Sequence, residues 1–139
     1  MGKFGKTSTD RLETCTDNIQ KIMKVVVKEF DISVVWGHRG REAQNKAYMS
    51  RNSTKQWPDS KHNKVPSKAI DVIPFPSGWP KENSPHYRKQ LNAFYHMAGI
   101  ILGIAATMNV RLKWGGDWDM DDDFTDQTFD DLAHFEEIE

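Results

Sequence analysis

The spacing of apolar residues divides the first third of the chain into a long helix, a strand and a shorter helix. From Leu12 to Phe30 apolar residues recur every three or four positions, which predicts a helix over about residues 10–29. Asp10, with Glu13 three residues later, resembles a capping box at the start of this helix. The β-branched run DISVVWG then predicts a strand, and REAQNKAYMSR predicts a short helix.

The remainder combines further apolar runs with two polar segments. Residues 52–67, rich in Asn, Ser, Lys and Pro, predict a long loop of the kind that is often functional. KAIDVIPF predicts a buried strand, and Ser84 followed by Pro85 predicts the start of a helix that runs to about Met108. VRLKWGG and LAHFEEI predict two more strands, separated by the acidic segment DWDMDDDFTDQTFDD. This order predicts one α+β domain, residues 1–139, with a small, mostly antiparallel sheet flanked by helices.

Composition argues against several classes of protein. No apolar run approaches the ~18 residues needed to cross a bilayer, so we expect no membrane insertion. The first residues contain lysines but no apolar segment after them, so we expect no secretory signal. The single cysteine, Cys15, rules out an internal disulfide framework and a multi-cysteine zinc site.

The net charge of −1 hides an uneven distribution. Residues 1–115 carry all 19 Lys and Arg with 9 acidic residues, a balance of +10, whereas residues 116–139 carry 11 acidic residues and no Lys or Arg. The two regions either neutralise each other in the fold or form a basic face for an anionic polymer and an acidic pocket for a cation. Aromatic residues are only sparsely interleaved with Lys and Arg, so we expect no specific nucleic-acid partner.

Asp71 is the most informative polar residue, because it stands between Ile70 and Val72 in an apolar run. A buried carboxylate costs several kcal/mol unless a basic side chain, backbone donors or a metal ion pairs with it. Candidate groups elsewhere in the chain are His62, Asp131 and His134. Two imidazoles and one carboxylate are a usual ligand set of a hydrolytic zinc ion, and a second carboxylate would then serve as base. These residue types alone also allow surface histidines, an Asp71 held by backbone donors and a solvated Asp131.

Four segments of the chain, in order, resemble sequence motifs of one known protein family. SKHNKVPSKAID resembles the S-x-H-x-x-G-x-A-x-D signature of the D-alanyl-D-alanine carboxypeptidase and L-alanyl-D-glutamate peptidase family, and GHRGREAQNKAY resembles its G-Y-R-S-x-x-x-Q-x-x-L-Y segment. KWGGDWD and DLAHFE are similar to the W-G-G-D-W and D-x-P-H-F-E segments of one branch. Together they cover residues 36–136, and four segments in the right order are far more specific than any one.

The resemblance implies a fold like that of Hedgehog proteins and DD-peptidases, and it implies a role for each matching residue. His62, Asp71 and His134 would bind Zn²⁺, Asp131 would be the catalytic base, and Arg39 would face the substrate or the developing oxyanion. We also expect the substrate cleft to include Ser60, Gln44 and Trp118.

Two features depart from the family pattern or complicate it. Eight residues separate His62 from Asp71 where the family has six, which we interpret as a two-residue loop insertion. In a regular strand His134 and Glu136 would share a face and Asp131 would point away. Asp131 must therefore lie on the preceding turn, or else Glu136 is the base; we favour Asp131, with Glu136 orienting a ligand.

The acidic segment raises the question of a second ion. Alternating acids at Asp117, Asp119, Asp121 and Asp123 resemble the start of an EF-hand loop. The sixth and twelfth positions, Asp122 and Thr128, do not match that motif, so a solvated loop is favoured over a weak Ca²⁺ site.

The resulting hypothesis is a zinc metallopeptidase of the phage endolysin branch that hydrolyses the L-alanyl-D-glutamate amide of the peptidoglycan stem peptide. The resemblance implies accumulation in the host cytoplasm, access to the cell wall through a pore-forming holin, and action in host lysis; we expect a monomer. Two alternatives stay open: a D-alanyl-D-alanine carboxypeptidase, and a non-catalytic cell-wall binding module with a structural zinc.

Overall fold

A computed structural model describes residues 2–123 and 131–138 of the chain. Its elements are, in order, α1 (Lys6–Leu12), α2 (Asp17–Glu29), β1 (Ile32–Trp36), α3 (Arg41–Met49), a 3₁₀ turn (Lys61–Asn63), β2 (Ala69–Pro74), α4 (Tyr87–Thr107), β3 (Leu112–Gly115) and β4 (Asp131–Glu137). The four described strands form one sheet in the order β1-β2-β4-β3, and each neighbouring pair is antiparallel. The predicted α+β fold with a small antiparallel sheet is confirmed.

Alternation along the strands separates an apolar face of the sheet from a polar face. Helices α2 and α4 contribute to the core that covers the apolar face, to which the strands add Val34, Ile70, Val72, Trp114 and Phe135. Asp71 of β2 and His134 of β4 are directly paired residues on the opposite face. The position of Asp71 in an apolar run therefore follows from strand geometry, because its two neighbours enter the core while its carboxylate points away from it.

The predicted helix over residues 10–29 is wrong at its beginning, because the chain forms two helices there with a break around Cys15. Asp10 lies inside α1, and the N-cap of α2 is Thr16, whose side chain accepts a backbone hydrogen bond from the first turn. The break has a tertiary cause: Cys15 forms a β-bridge with Ser67, and the Thr16 N–H donates to the Ser67 carbonyl. The backbone at this point pairs with the long loop instead of continuing the helix.

The last helix also begins later than predicted. Its N-cap is His86, and Ser84 and Pro85 lie in the preceding turn, where the Ser84 hydroxyl accepts a hydrogen bond from the His86 N–H. The serine therefore caps a turn and not the helix itself. Across residues 2–123 and 131–138, no helix combines the length and the apolar character needed to span a bilayer.

Candidate metal centre

Three potential metal ligands from separate segments meet on the polar face of the sheet. Asp71 and His134 come from adjacent strands, and His62 comes from the 3₁₀ turn in the long loop. Each contributes one ligand atom, and the three atoms lie within 4.8 Å of one another. All three side chains are buried. The two additional residues between His62 and Asp71 are accommodated in the loop without separating the two side chains.

The three ligand atoms form a nearly equilateral triangle. His62 Nε2, His134 Nδ1 and Asp71 Oδ1 are each 3.2 Å from the other two. A tetrahedral ion that binds at about 2.0 Å separates its ligand atoms by about 3.3 Å. The donor set, two imidazole nitrogens and one carboxylate oxygen, is also typical of catalytic zinc. The residues present therefore fit a zinc ion.

Hydrogen bonds on the far side of each imidazole orient the lone pairs toward this triangle. His62 Nδ1 lies 2.8 Å from the Gly37 carbonyl, and a carbonyl can only accept, so the proton of a neutral ring resides on Nδ1. His134 Nε2 lies 2.8 Å from a carboxylate oxygen of Glu136, which likewise fixes the proton on Nε2. Ligating histidines are commonly held in this way.

The electrostatics of the triangle favour a positive charge. Burial opposes a charged His134, but hydrogen bonds to Asp71 and Glu136 raise the pKa of His134 to about 9. Burial would raise the pKa of Asp71, but the charges of His62 and His134 and their hydrogen bonds hold it well below its usual range. A proton can satisfy only one pair of these atoms at a time, whereas a metal ion satisfies all three.

Arg39 lies behind the triangle and holds Asp71 from the other side. Its Nη2 donates to Asp71 Oδ2 at 3.2 Å, and its Nη1 donates to Gln44 Oε1 at 3.1 Å. The Arg39 N–H donates to the His62 carbonyl, and the guanidinium stacks over the Trp36 ring at 5.0 Å. Arg39 borders the cleft but is only 6% exposed. Both Nη atoms therefore contact protein groups, whereas the buried Nε has no hydrogen-bond partner among the described residues. The role facing the substrate or the oxyanion, which the resemblance implies, stays a prediction.

Gln44, predicted to line the cleft, is instead fully buried. Its Oε1 accepts from Arg39 and from Asn63 Nδ2, and its Nε2 donates to Ser53 Oγ and to the Lys55 carbonyl. The amide thus links the arginine to both ends of the long loop. From the sequence alone, a glutamine in a short helix can either line the cleft or support it from behind, and no local pattern distinguishes these two roles.

The position of Asp131 depends on an irregularity in the sheet. Asp131 is the first residue of β4, and a regular strand would direct it away from His134. The pairing with β3 is irregular: Trp114 pairs with Phe135, but the next residue, Gly115, pairs with Asp131. Asp131 consequently lines the same cleft as the ligands. The strands approach so closely here that a Cβ at Gly115 would lie 2.0 Å from the Asp131 carbonyl oxygen.

The two candidate bases have different surroundings. Burial and the charge of Asp71 raise the pKa of Asp131 to about 6. Burial would also raise the pKa of Glu136, but the hydrogen bond and charge of His134, together with Lys61, lower it to about 2. Glu136 is held by His134 on one oxygen and by Lys61 at 3.3 Å on the other. Its contacts therefore suit a residue that orients a ligand.

The cleft around the triangle has a volume of about 300 Å³. Ser60 and Trp118 line it, and the Trp118 ring lies 5.4 Å from the His134 ring, as a wall of the cleft. Three lysines, Lys55, Lys61 and Lys113, also line it and were not singled out from the sequence. The alternation of Leu112, Lys113 and Trp114 along β3 is a signal that could have placed Lys113 on the polar face.

The acidic loop gives no support to the weak Ca²⁺ site. One oxygen each of Asp117, Asp119 and Asp121 lie near one another. However, both oxygens of Asp117 accept backbone hydrogen bonds, from Asp121 and Asp122, and Asp121 Oδ1 accepts from the N–H of Asp123. These carboxylates stabilise turns, and Thr128 lies outside the described residues.

Comparison with known proteins identifies relatives of the whole chain. The family model described as phage L-alanyl-D-glutamate peptidase matches residues 1–138. The L-alanyl-D-glutamate peptidase of Escherichia phage T5 is 28% identical over 130 residues, 90% of this chain and 88% of the phage protein. The crystal structure of the L-Ala D-Glu endopeptidase ChiX from Serratia marcescens matches with a TM-score of 0.71 at 17% identity. That match covers 99% of this chain and 91% of ChiX, and it supports the fold.

Proposed function

The chain belongs to the phage L-alanyl-D-glutamate peptidase family, and we propose that it cleaves this amide in peptidoglycan stem peptides with a zinc ion held by His62, Asp71 and His134. The observation that carries the choice of metal is the triangle of ligand atoms with sides of 3.2 Å. Nitrogen and oxygen donors at this spacing suit zinc, whereas Ca²⁺ takes six to eight oxygen ligands.

The zinc would supply a water of lowered pKa and would polarise the alanyl carbonyl. Asp131 would accept the proton of the attacking water and return it to the amine of the departing D-glutamyl residue. Without a metal ion, burial and the charge of Asp71 raise the pKa of Asp131 to about 6. The positive charge of a bound zinc would lower this pKa, so Asp131 would be ionised and able to accept a proton. Glu136 is engaged by His134 and Lys61, so its part would be to orient the imidazole.

Asp131 also favours an enzyme over a binding module with a structural zinc. A structural site usually has four protein ligands and is closed, whereas three ligands leave a position for water. Within the described residues the ligand set is three side chains, and Asp131 lines the cleft on which they open. A carboxylate in this position has a purpose in hydrolysis and none in a closed site.

We further propose that the protein acts as an endolysin in host lysis. The match to a phage peptidase family supports this role. The enzyme would accumulate as a monomer in the host cytoplasm and reach the cell wall through a pore made by a holin. Expression in a bacterial host should cause lysis only when a pore-forming protein is co-expressed; lysis without one would contradict the requirement.

Digestion of purified peptidoglycan followed by mass spectrometry tests the reaction. We expect fragments with new N-terminal D-glutamyl residues. Release of free D-alanine instead would identify a D-alanyl-D-alanine carboxypeptidase.

Metal analysis tests the ligands and the base separately. Wild type should bind one zinc per chain, and His134→Ala should lose both zinc and activity. Asp131→Asn should retain zinc and lose about 10²–10⁴-fold in rate. An active Asp131→Asn together with an inactive, zinc-loaded Glu136→Gln would transfer the role of base to Glu136.

A further inference from the structure

Lys113 places a cation beside the candidate metal centre. It is the second residue of β3, and its directly paired partner on β4 is Glu136. Paired residues of an antiparallel sheet share a face, so Lys113 lies on the polar face with Glu136 and His134. A diagonal neighbour two residues along the partner strand remains within reach of a long side chain. Lys113 accordingly lines the same cleft as the metal ligands.

The positive charge of Lys113 is not used within the part of the chain that the structure describes. Glu136, its cross-strand partner, already binds His134 with one oxygen and Lys61 with the other. Among residues 2–123 and 131–138, Lys113 has no ion pair and no side-chain hydrogen bond. Lys113 is half-buried and lines the cleft, so its ammonium is available to an anion that enters there.

The substrate of the proposed reaction can carry a carboxylate next to the bond that is cleaved. In the stem peptide, the D-glutamyl residue continues through its side-chain carboxyl, so its α-carboxyl is a free carboxylate or an amide. That group is attached to the same carbon as the departing amine, and it therefore lies close to the metal centre when the bond is cleaved. Each Nη of Arg39 already donates one hydrogen bond, to Gln44 or to Asp71, so this side chain is held by the protein.

We propose that Lys113 binds the α-carboxylate of the D-glutamyl residue and so makes the enzyme prefer stem peptides with a free acid over those with an α-amide. This inference rests on the proposed function. A charge-assisted hydrogen bond in a partly exposed cleft should contribute about tenfold or more to this preference. The alternative role, support of Glu136, would affect both kinds of peptide equally.

The test compares two synthetic stem peptides that differ only in the α-carboxylate or α-amide of D-glutamate. Wild type should cleave the acid with about tenfold or higher kcat/KM, mainly through a lower KM. Lys113→Met should reduce this ratio to near one by losing activity on the acid alone, and Lys113→Arg should retain part of it. In zinc-loaded Asp131→Asn, in which turnover should be slow enough to measure binding, adding Lys113→Met should weaken binding of the acid and leave that of the amide unchanged.

Lys55→Met is the matched control, since Lys55 is the other cleft lysine with no side-chain ion pair among the described residues. It should keep the wild-type preference. Loss of the preference in Lys55→Met and not in Lys113→Met would overturn the assignment, as would an equal loss on both peptides in Lys113→Met. Equal cleavage of both peptides by wild type would refute the preference but leave the peptidase function standing, whereas cleavage of neither would refute the function itself.

Discussion

Replacing Arg39 with lysine tests whether this side chain acts on the protein or on the substrate. The guanidinium donates to Asp71 at 3.2 Å and to Gln44 at 3.1 Å, and it is 6% exposed. Lysine is a single point of charge and cannot span both acceptors with the geometry of the planar fork. Gln44 Oε1 would keep its other donor, Asn63. The main loss is therefore the charge-assisted hydrogen bond between Arg39 and Asp71.

The magnitude follows from that one bond. A hydrogen bond to a charged group contributes about 1.5–3 kcal/mol, so the free energy of unfolding of zinc-free protein should fall by about that amount. For a chain of this size the melting temperature should fall by roughly 5–10 °C. Because Asp71 would lose a partner that orients it, zinc affinity should fall by about 10–100-fold.

Three measurements decide the role: melting of zinc-free protein, zinc affinity by competition with a chelator, and kcat/KM at saturating zinc. If Arg39 mainly orients Asp71, excess zinc should restore much of the activity of Arg39→Lys. The exposed Arg88, substituted in the same way, is the control and should change none of the three. Unchanged stability and zinc affinity, with a tenfold or larger loss of kcat/KM at saturating zinc, would refute this reasoning and return Arg39 to the substrate.

Three further predictions concern other parts of the site and core. Burial raises the pKa of Asp131 from 3.8 to about 6, so the protonated carboxyl contributes stability below about pH 4 that is lost as pH rises through 6. The melting temperature of zinc-free wild type should therefore fall between about pH 4 and 6 relative to that of Asp131→Asn. Parallel melting profiles of the two proteins would contradict this prediction. Gly115→Ala should destabilise the protein by about 1–3 kcal/mol and reduce activity, whereas Gly103→Ala, in open space on α4, should not lower the melting temperature. Burial raises the pKa of Cys15 to about 12, so iodoacetamide at pH 8 should modify it only after unfolding; rapid labelling of folded protein would show that it is accessible.

Local patterns were sufficient for most of the elements. The first two strands were found because each is a short, largely apolar run bounded by Gly, Pro or charged residues. The alternation of Ile70, Asp71 and Val72 is a property of any strand. The three candidate ligands were also identified from the sequence, since their residue types stand in motifs that resemble a known family. The sequence predicted that they converge but no distance, and the structure places their ligand atoms 3.2 Å apart.

Tertiary contacts decided the rest. The first helix breaks because the backbone at Cys15 pairs with Ser67, a residue far along the chain that no local pattern identifies. Asp131 joins the cleft because the pairing of β4 with β3 is irregular at Gly115, although regular alternation would point it away. Arg39 turns inward because Asp71 and Gln44 accept its donors. In each case at least one deciding partner, such as Asp71 for Arg39, is distant in sequence, and a period of two or of 3.6 residues carries no information about such partners.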